Sequence, residues 1–292
     1  MKRLEGVIPA LVTPINPDES VDERSLYHLV NYLLDAGVSG IFALGSMGEF
    51  ATLEEKEKIH LLEKTVEIVD GKVPVLAGVS DTGTRKVIKN ITEAKSAGVD
   101  TVVALPPFFY FLNQRAVIDF YLDISEASPL PVIIYHNPIM TKIKLEFDTI
   151  AELADHPNII GIKDSSCDYK LFSKLLSLRN DKFSVFQGDE RRLKEALLEG
   201  ADGLVTGVGN LAIWIFVDLY KSAKEGNVKG VEELQNKVNK LLEFCKDSWI
   251  QAIKYGLKLQ GICEEYVCRP FCPVDRDIKE KVMDTLKELN IL

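Results

Sequence analysis

One lysine occupies a position from which it could act as a nucleophile. The tract at residues 159–166, IIGIKDSS, is an apolar run that ends in Lys163 and passes at once into small polar residues. Such a run predicts a buried strand that delivers an amine to its C-terminal end. Burial disfavours the charged form of an amine, and the neutral amine attacks ketones. Lys163 is therefore a Schiff-base candidate, although the tract also fits a strand-end lysine whose ammonium group reaches solvent.

Two other apolar runs end in groups that could assist this amine. Residues 45–49, GSMGE, combine the Ser46 hydroxyl with glycines whose backbone N–H groups can be approached closely, which suits a carboxylate ligand. Tyr135 ends a further run with a phenol that could pass a proton. Singly, the loop fits an ordinary glycine turn and the tyrosine an ordinary strand aromatic. The occurrence of all three groups at strand ends favours a functional site.

The elements that position these groups alternate regularly along the chain. Eight strands are predicted, at 7–12, 40–44, 73–78, 101–104, 132–135, 159–163, 183–187 and 203–206, with helical patterns such as 22–36, 53–69 and 84–97 between them. Uniformly apolar strands are covered on both faces, which indicates a parallel sheet. The phrases DAGVSGI, SAGVDTV and EGADGLV repeat one helix-to-strand junction. The repetition favours a closed (β/α)8 TIM barrel over a doubly wound open sheet, since the glycine motifs of nucleotide-binding sheets are missing.

Strand patterns stop after residue 206. Helical patterns occupy the remainder, including 228–246 and 278–289, with an interruption at residues 268–273, CRPFCP. We therefore predict a catalytic barrel over residues 1–212 and a C-terminal helical extension over residues 213–292, without a flexible linker between them.

Composition narrows the class of protein. The 292 residues are 46% hydrophobic and 27% charged, as in an ordinary globular protein, and the net charge of −9 argues against a nucleic-acid surface. No apolar run suits a signal peptide or a membrane span, so we expect a cytoplasmic protein that acts on a small molecule. The histidines and cysteines show no metal-ligand spacing, which predicts no metal site. Free thiols are expected at Cys167, Cys245, Cys263, Cys268 and Cys272.

Three tracts resemble a known family. Residues 45–49, 135–138 (YHNP) and 161–165 (GIKDS) resemble successive signatures of the dihydrodipicolinate synthase and N-acetylneuraminate lyase family of class I, pyruvate-dependent aldolases. Residues 6–14 (GVIPALVTP) and 269–270 (RP) extend the likeness over essentially the whole chain. The resemblance implies a (β/α)8 barrel with a C-terminal helical extension, a homotetramer built as a dimer of dimers, and no cofactor.

The resemblance also implies roles for individual residues. Lys163 would form a Schiff base with pyruvate or a pyruvate-derived aldol, and the iminium would accept electrons from the neighbouring C–C bond. Tyr135 would carry protons to and from the carbinolamine and the aldol hydroxyl. Phe109 stands where the synthases place a relay tyrosine from the neighbouring subunit, so Tyr110 is the substitute candidate. Substrate contacts are expected at Ser46, Met47, Gly207 and Asn210.

Departures from the family pattern indicate the substrate. Dihydrodipicolinate synthases usually have two threonines where this chain has Ser46 and Met47, and an arginine for the second substrate's charged end where it has Met140. His136 replaces the usual asparagine. The GN pair at residues 209–210 resembles the sequence at this position in aldolases of 2-keto-3-deoxy sugar acids such as 2-keto-3-deoxygluconate. We predict such an aldolase, with 4-hydroxy-tetrahydrodipicolinate (dihydrodipicolinate) synthase as the alternative and a non-catalytic keto-acid-binding barrel as an alternative of another class.

Overall fold

A ring of parallel strands forms the centre of the molecule. The computed structural model describes residues 3–245 and 248–292. Within them the strands are β1 (Gly6–Pro9), β2 (Ile41–Ala43), β3 (Val75–Gly78), β4 (Thr101–Ala104), β5 (Val132–His136), β6 (Ile159–Asp164), β7 (Ser184–Gln187) and β8 (Gly203–Thr206). Hydrogen bonding follows the order β1-β8-β7-β6-β5-β4-β3-β2. A parallel bridge between Ala10 and Phe42, with the Leu11 N–H donating to the Phe42 carbonyl at 2.8 Å, brings the two ends of this order together.

Helices surround the strands and continue beyond them. In the described residues they are α1 (Glu23–Asp35), α2 (Glu55–Val69), α3 (Thr84–Ser96), α4 (Gln114–Ala127), α5 (Pro138–Thr141), α6 (Phe147–Ala154), α7 (Tyr169–Leu175), α8 (Leu193–Leu198), α9 (Ile213–Lys224), α10 (Val228–Leu242), α11 (Trp249–Leu259) and α12 (Arg276–Glu288). Four helices begin with a capping side chain that accepts a backbone N–H of the first turn: α1 with Asp22, α4 with Asn113, α7 with Asp168 and α10 with Asn227. In the described part of the chain, no helix is both long and apolar enough to cross a membrane.

The repeated junction phrase has a common structural role. Its first glycine stands in the left-handed region just after a helix, with φ of 89° at Gly98 and 96° at Gly200, where a side chain would be strained. In the second and third copies an aspartate then accepts the N–H of a residue on the neighbouring strand: Asp100 from Val75 at 2.9 Å and Asp202 from Val185 at 2.8 Å. The phrase thus ends a helix and aligns the next strand in the barrel.

The predicted (β/α)8 barrel with a helical C-terminal part is confirmed. All eight predicted strands are present, although β1 ends at Pro9 because residues 10 and 11 bond alternately to β8 and β2. The helix predicted over residues 228–246 is shorter in the structure, where α10 ends at Leu242. The predicted last residue, Lys246, lies outside the described residues. The division after residue 212 remains our proposal, and α9, the first helix beyond it, contacts β1 as well as α10.

Candidate active site

The C-terminal ends of the strands open into a cavity of about 960 Å³. Polar strand-end groups lie together there because parallel strands in a barrel all end at the same face. The described residues that line the cavity include five of the predicted site residues: Lys163, Tyr135, Ser46, Met47 and Gly207. The structure therefore brings together groups from the ends of β2, β5, β6 and β8.

Lys163 and Tyr135 form the centre of this site. They are paired residues on the neighbouring strands β6 and β5, and both are buried. The Lys163 Nζ lies 3.9 Å from the centroid of the Tyr135 ring and 5.1 Å from that of Phe42. Among the residues that the structure describes, no carboxylate forms an ion pair with Lys163. The amine is thus held against aromatic faces and a phenol at the inner end of an open cavity.

The environment of Tyr135 makes its phenol a better acid. Burial raises its pKa, but the charge of Lys163 and hydrogen bonds with Ser46, Asn137 and Lys163 outweigh burial, so the pKa is lowered from its ordinary value. The Asn137 side-chain amide donates to the phenol oxygen at 3.2 Å. A phenol that releases its proton more readily suits a group that gives and takes protons during a reaction.

The loop at residues 45–49 forms a tight turn beside this pair. Residues Ser46–Gly48 make one 3-10 turn, closed by the Gly48 N–H donating to the Gly45 carbonyl at 2.9 Å. The Thr13 hydroxyl donates to the Gly48 carbonyl at 2.8 Å and holds the turn on the strand β1 side. The N–H groups that begin such a turn have no carbonyl partner within it, which leaves them for an anionic ligand.

Met47 and Gly207 meet across the cavity wall. A Cβ atom at Gly207 would lie 2.8 Å from Met47 Cγ and 3.0 Å from its Sδ, so a side chain at this position would displace the methionine. The turn after β2 and the turn after β8 consequently pack directly on each other. The sequence placed both residues at the site, and the structure shows their contact with each other.

Asn210 does not face the cavity, although we predicted that it contacts the substrate. Its side chain is fully buried, donates to the carbonyls of Ala10 at 2.8 Å and Gly207 at 2.7 Å, and accepts from the Val12 N–H at 3.4 Å. It is not among the described residues that line the cavity. Because its donor and acceptor are both used by backbone groups, Asn210 ties the β8 turn to β1, and the prediction of a direct substrate contact is corrected.

Tyr110 also lies outside the cavity of its own chain. It is 69% exposed, between the exposed side chains of Phe109 and Phe111, and the Phe109 backbone is left-handed with φ of 90°. A single chain therefore gives Tyr110 no contact with Lys163. Its role as a proton relay stays a prediction that requires a second subunit.

A buried carboxyl group that was not among the predicted site residues follows the end of β7. Glu190 lines the cavity, and its Oε1 accepts from the Thr206 hydroxyl at 2.7 Å and from the N–H groups of Gly207 at 2.7 Å and Val208 at 3.0 Å. Burial raises its pKa, only partly opposed by these hydrogen bonds and by Lys163. No donor within residues 3–245 and 248–292 reaches its Oε2. The signal was available, since Glu190 follows a predicted strand end by three residues.

A second omission is the wall contributed by the C-terminal helices. Trp249 and Ile250 at the start of α11, Leu242 at the end of α10, and Phe271 all line the cavity. No local pattern marked these residues, because their approach to the barrel depends on how distant helices pack. The cavity therefore has strand-end chemistry at its inner end and an apolar wall from the C-terminal part.

Comparisons with known proteins agree with this geometry. The model of the dihydrodipicolinate synthetase family matches residues 3–289. The probable 2-dehydro-3-deoxy-D-pentonate aldolase YjhH of Escherichia coli is 31% identical, covering 100% of this chain and 99% of that protein. The 4-hydroxy-tetrahydrodipicolinate synthase of Neisseria meningitidis serogroup B is 32% identical, covering 97% and 98%.

Solved structures give the same result. Dihydrodipicolinate synthase from Thermotoga maritima matches with a TM-score of 0.95 at 30% identity, over 99% of each chain. YagE, a prophage protein of the dihydrodipicolinic acid synthase family from E. coli solved in complex with pyruvate, matches with a TM-score of 0.94 at 28% identity, also over 99% of each chain. The likenesses span the whole fold and include both a sugar-acid aldolase and synthases among the similar proteins.

Proposed function

Since the chain belongs to the dihydrodipicolinate synthetase family of pyruvate-dependent class I lyases, we propose that it reversibly cleaves a 2-keto-3-deoxy sugar acid, such as 2-keto-3-deoxygluconate, to pyruvate and a neutral aldehyde. The observation that carries the proposal is the approach of the Lys163 Nζ to within 3.9 Å of the Tyr135 ring centroid in an open cavity. This pairing supplies a nucleophile and a proton carrier side by side, as Schiff-base chemistry requires.

The proposed reaction begins with attack of the neutral Lys163 amine on the keto carbon of the sugar acid. Tyr135 donates a proton to the carbinolamine hydroxyl, which leaves as water and produces an iminium. The resulting phenolate takes the proton from the C4 hydroxyl while the C3–C4 bond breaks, its electrons pass into the iminium, and the aldehyde departs. Protonation of the enamine at C3 and hydrolysis then release pyruvate and the free lysine.

The turn at residues 45–49 is proposed to hold the keto-acid carboxylate. The Ser46 hydroxyl and the backbone N–H groups that begin the turn offer hydrogen bonds to an anion. Ser46 is also close enough to Tyr135 to help lower the pKa of its phenol. The group that holds the carboxylate is therefore linked to the group that carries the proton, which keeps the keto carbon in a constant position relative to both.

Glu190 supports a hydroxylated substrate. Its Oε1 is held by three donors, and its Oε2 is left to face a ligand. An oriented and buried carboxyl group can accept a hydrogen bond from a sugar hydroxyl, or donate one when protonated. We assign it to the hydroxyl-bearing half of the substrate.

The choice of a neutral aldehyde is supported by the groups at the outer part of the cavity. Met140 and Ile139 line it where the synthases carry an arginine for the charged end of aspartate semialdehyde. Arg191 also lines it, but Asp189 binds its guanidinium at 2.8 and 3.2 Å and so neutralises it. A charged ligand would lose hydration without gaining a free partner, which disfavours it strongly.

4-Hydroxy-tetrahydrodipicolinate synthase remains the alternative, since the N. meningitidis protein of that name is similar over 97% of the chain. The non-catalytic alternative is disfavoured because Lys163, Tyr135 and Ser46 all line one cavity. A direct comparison tests the proposal. We expect purified protein to release pyruvate from 2-keto-3-deoxygluconate, detected with lactate dehydrogenase and NADH, and to show negligible condensation of pyruvate with aspartate semialdehyde. Efficient condensation without pyruvate release from sugar acids would establish the alternative.

We also propose a cytoplasmic homotetramer, a dimer of dimers. All five cysteines lie in the described residues and are unpaired, as suits a reducing compartment. The exposed run of Phe109, Tyr110 and Phe111 forms an apolar patch of the kind that subunit contacts cover. Light scattering should give the mass of four chains, and a Phe109→Ser/Phe111→Ser variant should give a smaller one.

A further inference from the structure

Glu49 and Lys254 form an ion pair that is closed off from solvent. The Glu49 Oε1 lies 2.5 Å from the Lys254 Nζ, and both side chains are 0% exposed. The Lys254 Nζ also donates to the Tyr266 carbonyl at 2.7 Å, and the Glu49 Oε2 accepts from the Cys268 N–H at 2.7 Å. One carboxylate and one ammonium thus join three segments that are far apart in the sequence.

Burial of this pair is not explained by stability alone. Removing two opposite charges from water costs free energy that their attraction only partly returns, and apolar residues of similar volume often stabilise a fold as well or better. Positional specificity, in contrast, is a property that a charged and hydrogen-bonded pair can supply, because it tolerates few alternative geometries.

One end of the pair belongs to the loop proposed to hold the carboxylate. Glu49 directly follows the Ser46–Gly48 turn, and its N–H donates to the Ser46 carbonyl at 3.3 Å. Its backbone is left-handed, with φ of 57°, so the side chain leaves the turn in a constrained direction. A shift of the Glu49 carboxylate would therefore be felt at Ser46.

The other end belongs to the apolar wall of the cavity. Lys254 lies on α11 one turn after Ile250 and on the same side of the helix. Trp249 directly precedes Ile250 in the sequence. The segment held through the carbonyl of Tyr266 and the N–H of Cys268 continues to Phe271. Ile250, Trp249 and Phe271 all line the cavity.

We propose that Glu49 and Lys254 are positioning residues that set the distance between the carboxylate-holding loop and the apolar wall, and thereby the affinity for the aldehyde half of the substrate. Neither residue takes part in bond making. The proposal rests on the proposed function for the identity of the substrate, whereas the mechanical coupling of loop and wall does not depend on it.

A paired replacement tests the proposal. Glu49→Gln/Lys254→Met removes both charges together and keeps an acceptor for the Cys268 N–H, so no charge is left buried without a partner. We expect borohydride still to trap pyruvate on Lys163, while the KM for 2-keto-3-deoxygluconate rises about tenfold or more and kcat changes less. The matched control is Lys258→Met, one turn further along α11, whose ammonium pairs with the exposed Glu264 and the partly buried Glu265; it should leave both constants unchanged.

Two readouts do not depend on turnover. In a Trp214→Phe background Trp249 is the only tryptophan of the chain. In that background the paired replacement should increase the quenching of Trp249 fluorescence by acrylamide, because the indole ring becomes more accessible. In the wild-type protein, trapped pyruvate should slow hydrogen exchange at residues 266–271, since the coupling of the two sites is reciprocal. This second measurement decides the matter even where the variant does not fold.

The positioning role would be overturned if the folded variant kept the wild-type KM and the wild-type quenching of Trp249. It would also be overturned if trapped pyruvate did not change hydrogen exchange at residues 266–271. Absence of pyruvate release by the wild-type protein would instead refute the proposed substrate, and fluorescence and exchange would still report on the coupling.

Discussion

His136 and Asp164 form a buried hydrogen bond of 2.8 Å. They are the residues that directly follow Tyr135 on β5 and Lys163 on β6, and they pair with each other as those two do. The His136 Nε2 accepts from the Leu145 N–H at 3.1 Å, so its Nδ1 carries the ring proton and donates to the carboxylate. A neutral histidine thus joins the ends of β5 and β6 through side chains. This bond holds the two reactive residues side by side.

We expect His136→Ala to destabilise the protein by about 2 kcal/mol, because it leaves the buried Leu145 N–H without its acceptor and leaves the buried Asp164 carboxylate with only the hydrogen bonds from Ser166. The measurement is urea unfolding followed by circular dichroism. His60→Ala is the matched control, since His60 pairs with Glu23 at 2.9 Å on the surface and its removal should change the free energy of unfolding by no more than about 0.5 kcal/mol. Equal effects of both substitutions would contradict the assigned role of the buried pair.

Borohydride reduction in the presence of pyruvate should attach one adduct per chain, at Lys163. Mass spectrometry of peptides locates it, and Lys163→Ala should abolish both the adduct and turnover while leaving the far-ultraviolet circular dichroism intact. An adduct on Lys254, which is also buried, would refute the assignment of the nucleophile.

Tyr135→Phe should lower kcat by about 10²-fold or more, the usual contribution of a positioned proton carrier, while pyruvate still binds and is trapped on Lys163 more slowly. Tyr121→Phe serves as the control: this tyrosine is also buried, and its hydroxyl donates to the Ala104 carbonyl at 2.8 Å rather than into the cavity. It should lose stability but not rate. Near-normal turnover of the Tyr135 variant would move the proton transfer to another group, with Tyr110 from a second subunit the next candidate.

The pH dependence should follow the lowered pKa of Tyr135. In the cleavage direction the phenolate accepts the C4 hydroxyl proton, so the rate falls as the pH drops below the pKa of Tyr135. Asn137→Ala removes one of the hydrogen bonds that lower this pKa, so the pKa should rise and the acid limb of the kcat profile should move to higher pH. Asn113→Ala, which removes only the cap of α4, should leave the limb in place. A shift in the opposite direction would show that another group controls the profile.

Asp189→Asn should relax the selection against charged substrates. The substitution releases Arg191, whose guanidinium can then bind an anion, so kcat/KM for 2-keto-3-deoxy-6-phosphogluconate should rise about tenfold relative to the unphosphorylated compound. In Asp189→Asn/Arg191→Gln the gain should disappear. A gain that persists in the double variant would mean that Arg191 does not contact the phosphate.

The sequence by itself determined the barrel and the inner end of the site. Apolar runs and a repeated helix-to-strand phrase are local signals, and a residue at the C-terminal end of a parallel strand reaches the same face of a barrel whatever the packing around it. For that reason Lys163, Tyr135 and Ser46 could be placed together before any distance was known.

Only the tertiary structure decided which polar groups are available to a ligand. Asn210 stands at a strand end, as expected, yet backbone carbonyls within 2.8 Å occupy its amide, and Tyr110 is exposed away from the cavity of its own chain. The Glu49–Lys254 pair and the wall containing Trp249 depend on how helices beyond the barrel pack against a loop near its beginning. Hydrogen-bond partners and packing between distant segments are set by the whole fold, and no local pattern of residues encodes them.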